Sequence, residues 1–152
     1  MGRIRASGRK RFLFYDSNLA MEKQLDCVLL IDDNDDDNFY HRIILLEAGV
    51  TKRIQVAETG HDALNFLQQI EHAPELIFLD INMPRMNGWE FLERYRKLEL
   101  QRKNDVVIIM LTTSLNPADE KKARSMPEIS DFESKPLTTD IVTKILRRHF
   151  AK

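Results

Sequence analysis

From Cys27 onward the chain alternates between short apolar runs and longer stretches in which apolar residues recur every three or four positions. The runs are Cys27 to Ile31, Arg53 to Ala57, Leu76 to Leu79, Val106 to Leu111 and Ile129 to Phe132, all of strand length. Between them Phe39/Ile43/Leu46, Ala63/Leu67/Ile70 and Phe91/Tyr95/Leu98 fall at i, i+4, i+7, the spacing that lines one face of a helix. A fourth helix starting near Pro117 is weak and polar, with Lys121, Lys122 and Arg124 on it, and is expected to be the mobile one. The last, about 138–149, carries the pairs Ile141/Ile145 and Val142/Leu146.

Strand followed by helix, five times over, predicts βαβ units around a parallel sheet. A strand covered on both faces is apolar throughout, whereas an edge strand alternates. Strands one, three and four are continuous. Strand two alternates Arg53, Ile54, Gln55, Val56, and strand five places Ser130 and Asp131 between Ile129 and Phe132, so these two belong at the edges. The expected fold is α/β, a doubly wound five-stranded parallel sheet of flavodoxin-like type with strand order 2-1-3-4-5.

A length of 152 residues, 43% of them hydrophobic, suits one domain with one substantial core. Net charge is only -1, but residues 1–11 hold five basic groups (Arg3, Arg5, Arg9, Lys10, Arg11) and no acid, which leaves -6 for the rest. Residues 1–20 are therefore expected to be a basic, disordered extension and residues 21–152 the folded domain. Contact of the tail with nucleic acid or an anionic membrane is the weaker alternative, and neither is expected as a partner. Phe12 to Tyr15 is too short for a signal peptide and no stretch approaches a membrane span, so a cytoplasmic protein is expected. Cys27 is the only cysteine and lies in an apolar run, as a small core hydrophobe.

In a sheet of this order, ligands bind beyond the carboxyl ends of the strands, between strands one and three. Strand one runs into Asp32 and Asp33 and strand three into Asp80, so three carboxylates converge there. Thr112 ends strand four, and Lys135-Pro136 follows strand five. Crowded carboxylates repel unless a cation neutralises them. Mg²⁺ suits an all-oxygen set and bridges carboxylates to phosphate. One carboxylate can then attack a phosphoryl group to give an acyl phosphate, while the others hold the metal and Lys135 and Thr112 contact the phosphoryl oxygens.

Four segments, Leu29-Leu30-Ile31-Asp32-Asp33-Asn34, Phe78-Leu79-Asp80-Ile81-Asn82-Met83-Pro84-Arg85-Met86-Asn87-Gly88, Leu111-Thr112-Thr113-Ser114 and Phe132-Glu133-Ser134-Lys135-Pro136, together resemble the receiver domain of two-component response regulators. The likeness covers about residues 25–150. It implies that Asp80 is the phosphoacceptor and that Asp32, Asp33, Asp80 and the main-chain carbonyl of Asn82 bind Mg²⁺. It makes Thr112 and Phe132 the switch pair, Lys135 the phosphate contact before a commonly cis Pro136, and Ser114 and Asn82 positions that tune acyl-phosphate lifetime. Phe132 stands where the family often has Tyr. Implied partners are a sensor histidine kinase or phosphotransfer protein as donor, and a downstream protein, or a second copy in a homodimer, on the face of helix four, strand five and helix five. The chain stops soon after the fifth helix, so an attached output domain is not expected.

Rival readings fit less well. A phosphatase of haloacid-dehalogenase type needs a second Asp two positions after the nucleophile, where this chain has Asn82. An EF-hand beginning at Asp33 lacks its Gly and its closing Glu, with Asn38 and Ile44 in those places. Asp35 to Asp37 read as a solvated, acidic helix start. Gly88 reads as easing a turn, Trp89 as packing or contact, and His41, His61, His72 and His149 as scattered surface histidines.

Overall fold

The structure, a computed structural model, describes residues 24–151. The basic extension at residues 1–20 lies outside the described residues. Five strands, β1 (Val28–Ile31), β2 (Ile54–Ala57), β3 (Leu76–Asp80), β4 (Val107–Thr112) and β5 (Ile129–Ser134), alternate with helices α1 (Asp35–Ala48), α2 (Gly60–Gln69), α3 (Gly88–Tyr95), α4 (Pro117–Arg124) and α5 (Thr139–His149). All strand pairs are parallel, in the order β2-β1-β3-β4-β5. The expected fold, order and edge strands are thus all present.

Strand alternation distributes the core between two layers. Leu29, Ile31, Ile77, Leu79, Ile108 and Met110 point to the side covered by α2, α3 and α4. Val28, Leu30, Leu76, Phe78, Ile109 and Leu111 point to the side covered by α1 and α5. β1, β3 and β4 are buried along their whole length, whereas β2 and β5 are mostly half-buried. Cys27 is buried, as expected. α4 turns only Ala123 fully inward, in keeping with its polar sequence.

The helix predicted from Phe39, Ile43 and Leu46 is present, while one expectation, a surface position for His41, is corrected. Phe39, Ile43 and Leu46 line the outer face of α1 and are exposed, while Asn38, His41, Ile44, Leu45 and Ala48 face inward. The helix start sets this phase. Asn34 caps α1 by accepting from the Asp37 N–H (2.9 Å), and Asn38 Nδ2 donates to the carbonyl of Asp32 (2.8 Å), which draws position 38 towards the sheet. Position 41 follows one turn later. His41 is therefore a buried residue rather than a surface one, unlike exposed His61 and His72.

Candidate functional site

At the carboxyl ends of β1 and β3 the chain opens into a crevice. Asp32 and Asp33 follow β1 and Asp80 ends β3, and one carboxylate oxygen from each lies within 4.8 Å of the others. Asp32 and Asp80 are buried; Asp33 is exposed. Thr112 ends the neighbouring strand, and the main chain of Lys135 is tied to it by a hydrogen bond from Lys135 N–H to the Thr112 carbonyl (2.7 Å). That bond aims the lysine into the crevice. Its Nζ lies 2.6 Å from Asp32 Oδ2, 2.9 Å from Asp37 Oδ2 and 3.2 Å from Asp80 Oδ1. The peptide bond from Lys135 to Pro136 is cis.

This geometry revises the crowding argument, because the Lys135 ammonium already offsets part of the negative charge. The balance remains negative. Burial, then the charge of Asp32, pushes the Asp80 carboxyl up to about 6 against the pull of Lys135. Burial alone would lower Lys135, but its hydrogen bonds to Asp32 and Asp37 outweigh that and hold it above the ordinary lysine value. Such an all-oxygen, hard donor set with surplus negative charge fits Mg²⁺. Asn82, whose carbonyl was expected to join it, is an exposed residue two positions beyond Asp80.

Local structure fixes each wall. Asp32 Oδ1 accepts from the Asn34 N–H (3.0 Å), so one residue's carboxylate is held while the next caps α1. Across the crevice, Asn87 and Glu90 form a reciprocal capping box at the start of α3 (both 2.9 Å). Gly88 N–H donates to the Ile81 carbonyl (2.8 Å), and a Cβ at position 88 would sit 2.6 Å from the Asp80 carbonyl oxygen. Close approach of α3 to the strand end, not turn freedom, is what requires glycine there. Trp89 is half-buried beside the core, with Lys122 Nζ of α4 4.6 Å above its ring.

Thr112 is buried and its Oγ1 donates to the Ser114 carbonyl (3.1 Å), with Ser114 itself exposed. Phe132 is turned inward among Met110, Ile108 and Ala123. Three residues in and beneath the crevice carry roles the sequence reading did not give them: Asp37, expected to be part of a solvated helix start, is corrected to a partner of Lys135; Asn38 holds the Asp32 main chain; and His41 is buried with no partner for Nε2. The signal for the first two was Asn34, because the phase of a helix follows from its N-cap.

The response regulator receiver domain family model matches residues 28–147. A two-component response regulator from Cytophaga hutchinsonii is 33% identical, with a TM-score of 0.76 over 83% of this chain and 97% of that one. A response regulator receiver protein from Dyadobacter fermentans is 26% identical, with a TM-score of 0.74 over 83% and 98%. Among curated proteins, a probable cyclic di-GMP phosphodiesterase of Vibrio cholerae is 28% identical over 87% of this chain, and the sensor protein GacS of Pseudomonas syringae is 29% identical over 73%. The chain spans only 28% and 12% of those two proteins' lengths. No helix among the described residues is long and apolar enough to cross a membrane.

Proposed function

Because this chain belongs to the response regulator receiver domain family, whose members are signalling domains of two-component systems, we propose that Asp80 is the residue that accepts the phosphoryl group. The observation that carries this reading is the placement of Asp80. It is a buried carboxylate at the end of a central strand, poised near 6, within reach of Lys135 and of two further carboxylates. A carboxylate in this state is ionised at neutral pH and yet more basic than an ordinary aspartate, which favours attack on phosphorus.

A carboxylate oxygen of Asp80 forms the new P–O bond as the P–N bond to the donor's histidine breaks. The bonding pair leaves with the imidazole. Lys135 contributes positive charge to the phosphoryl oxygens, for which it gives up part of its contact with Asp80. Asp32, Asp33, Asp80 and the Asn82 carbonyl would hold Mg²⁺, which supplies the remaining positive charge when bound. Thr112 Oγ1 reaches the phosphoryl group only by leaving the Ser114 carbonyl, and Phe132, opposite Met110 on the neighbouring strand, serves as the second half of the switch. Asn82 and Ser114, both exposed at the mouth, set how readily water approaches the acyl phosphate.

The donor class is a phosphohistidine on a sensor histidine kinase or phosphotransfer protein, met in the cytoplasm. The output is a changed surface on α4, β5 and α5, read by a downstream protein or a second copy. Phosphatase turnover has no support, since no general acid stands at Asn82. Acetyl phosphate with Mg²⁺ is expected to label the chain once, detected by intact mass. Asp80→Asn or removal of divalent cation abolishes the label, and equal labelling of the Asn variant would overturn the assignment.

A further inference from the structure

Lys135 is shared three ways before any phosphoryl group arrives. A lysine ammonium has three N–H donors and no acceptor, and the carboxylates of Asp32, Asp37 and Asp80 stand 2.6, 2.9 and 3.2 Å from it. To touch a phosphoryl oxygen it must free one of them. Asp80 is the partner it can leave, because that contact is the longest and the oxygen that bonds phosphorus gives up its share of negative charge. Asp32 and Asp37 are then what holds the ammonium in place.

These two acids are not equivalent. Asp32 belongs to the trio of carboxylates suited to a metal, with Asp33 and Asp80, and Asp37 does not. An ion held by that trio draws on Asp32 as well, which leaves Asp37 as the carboxylate that answers to Lys135 alone. Its place follows from the helix start. Asn34 caps α1 by accepting from the Asp37 N–H, and the next residue, Asn38, donates to the Asp32 carbonyl. One turn of α1 therefore grips the end of β1 through Asn38 and the segment after β5 through Asp37. The lysine needs such a hold from the side, because a long and flexible stem separates its ammonium from the main-chain anchor on Thr112.

We propose that Asp37 is a positioning residue for phosphoryl transfer: it aims the Lys135 ammonium at the place where the phosphoryl oxygens arrive, and so makes the first turn of α1 part of the reaction. This deepens the reading of Asp80 as acceptor and rests on it. Without Asp37 the ammonium is left to Asp32 and Asp80, and it closes on the nucleophile instead of standing beside it. A solvent-exposed ion pair has little consequence, but here the lysine side chain is only 7% exposed. The Asp37 side chain, 32% exposed, has room for a longer acid in the same role.

The test compares the full chain with Asp37→Asn, Asp37→Glu and Asp36→Asn. The last removes the same charge from the same turn at an exposed position outside the contacts of Lys135. Labelling by acetyl phosphate with Mg²⁺, followed by intact mass, is expected to slow several-fold in Asp37→Asn, to recover most of the parent's rate in Asp37→Glu and to stay near it in Asp36→Asn. In the protein without divalent cation, the Lys135 Nζ shift, read by NMR through its Hε protons, is expected to move in Asp37→Asn and to hold in Asp36→Asn. Labelling of Asp37→Asn at the parent's rate or faster overturns the proposal, as does an Asp37→Glu chain no faster than Asp37→Asn. Equal slowing in Asp36→Asn assigns the effect to charge at the crevice mouth rather than to contact, and an unmoved Nζ shift in Asp37→Asn removes the hold on the lysine; either overturns it. If the parent itself takes no label, the Asp80 reading fails, while the Nζ comparison still decides whether Asp37 aims the lysine.

Discussion

α1 and α3 carry the same kind of stripe in sequence and use it in opposite ways. Phe91 and Tyr95 are buried in α3, stacked at 5.9 Å between ring centroids, with Leu98 half-buried just past the helix end. Phe39, Ile43 and Leu46 of α1 face solvent, and its inner face carries the polar Asn38 and His41 ahead of Ile44, Leu45 and Ala48. Periodicity therefore identifies a helix but not which stripe goes inward when two are present. In α1 the crevice decides. Its first turns must supply Asp37 to Lys135 and Asn38 to the Asp32 main chain, and the aromatic stripe is left outside.

The sharpest test of this contrast is truncation of one aromatic on each helix. Phe91→Ala is expected to cost about 3–5 kcal/mol, because it empties a fully buried site. Phe39→Ala is expected to stay within about 0.5 kcal/mol, as surface changes do. Urea unfolding measures both, and comparable losses would mean that α1 is not turned as described.

Next in size is the charge held between the two helices. The folded Asp80 carboxyl lies at about 6 against an ordinary 3.8, so the folded chain binds this proton more tightly than the unfolded chain does. Stability without divalent metal then falls as pH rises from about 4 to 6 and stays at the lower level above that window. Asp80→Asn removes the effect. It is expected to be more stable than the parent by about 3 kcal/mol above pH 7, with the difference vanishing near pH 4. A variant that is less stable at neutral pH would show that Lys135 outweighs burial.

Where α3 meets the strand end, Gly88→Ala is expected to cost about 1–3 kcal/mol, since the added carbon must push the Asp80 carbonyl aside. On the opposite wall, Asn38→Ala loses the bond to the Asp32 carbonyl for about 1–2 kcal/mol and weakens Mg²⁺ binding severalfold. Calorimetric titration with Mg²⁺ checks the second part. Unchanged affinity would separate the α1 inner face from the site.

Strand positions, sheet order and the converging Asp32, Asp33, Asp80, Thr112 and Lys135 were legible because each depends on a local pattern or on the end of a strand. Edge strands were legible for the same reason, their polar positions being solvated on one side. The phase of α1 was not, because the more regular apolar stripe lies outside, and the hydrogen bonds of Asn34, Asp37 and Asn38 decide which face turns inward. Nor was the reach of Lys135 to Asp37, residues 98 apart in sequence. The need for glycine at position 88 is likewise a matter of three-dimensional approach, invisible in the residues around it.

Trp89 adds a practical property. It is the only tryptophan in the chain, it directly follows the glycine packed on the Asp80 carbonyl, and its ring lies 4.6 Å beneath the Lys122 ammonium of α4. A cation at that distance perturbs the indole's excited state, so departure of α4 alters the emission colour and yield. The unmodified protein thus carries a built-in optical gauge of the α-helix with the fewest buried residues, readable in a cuvette without any attached dye.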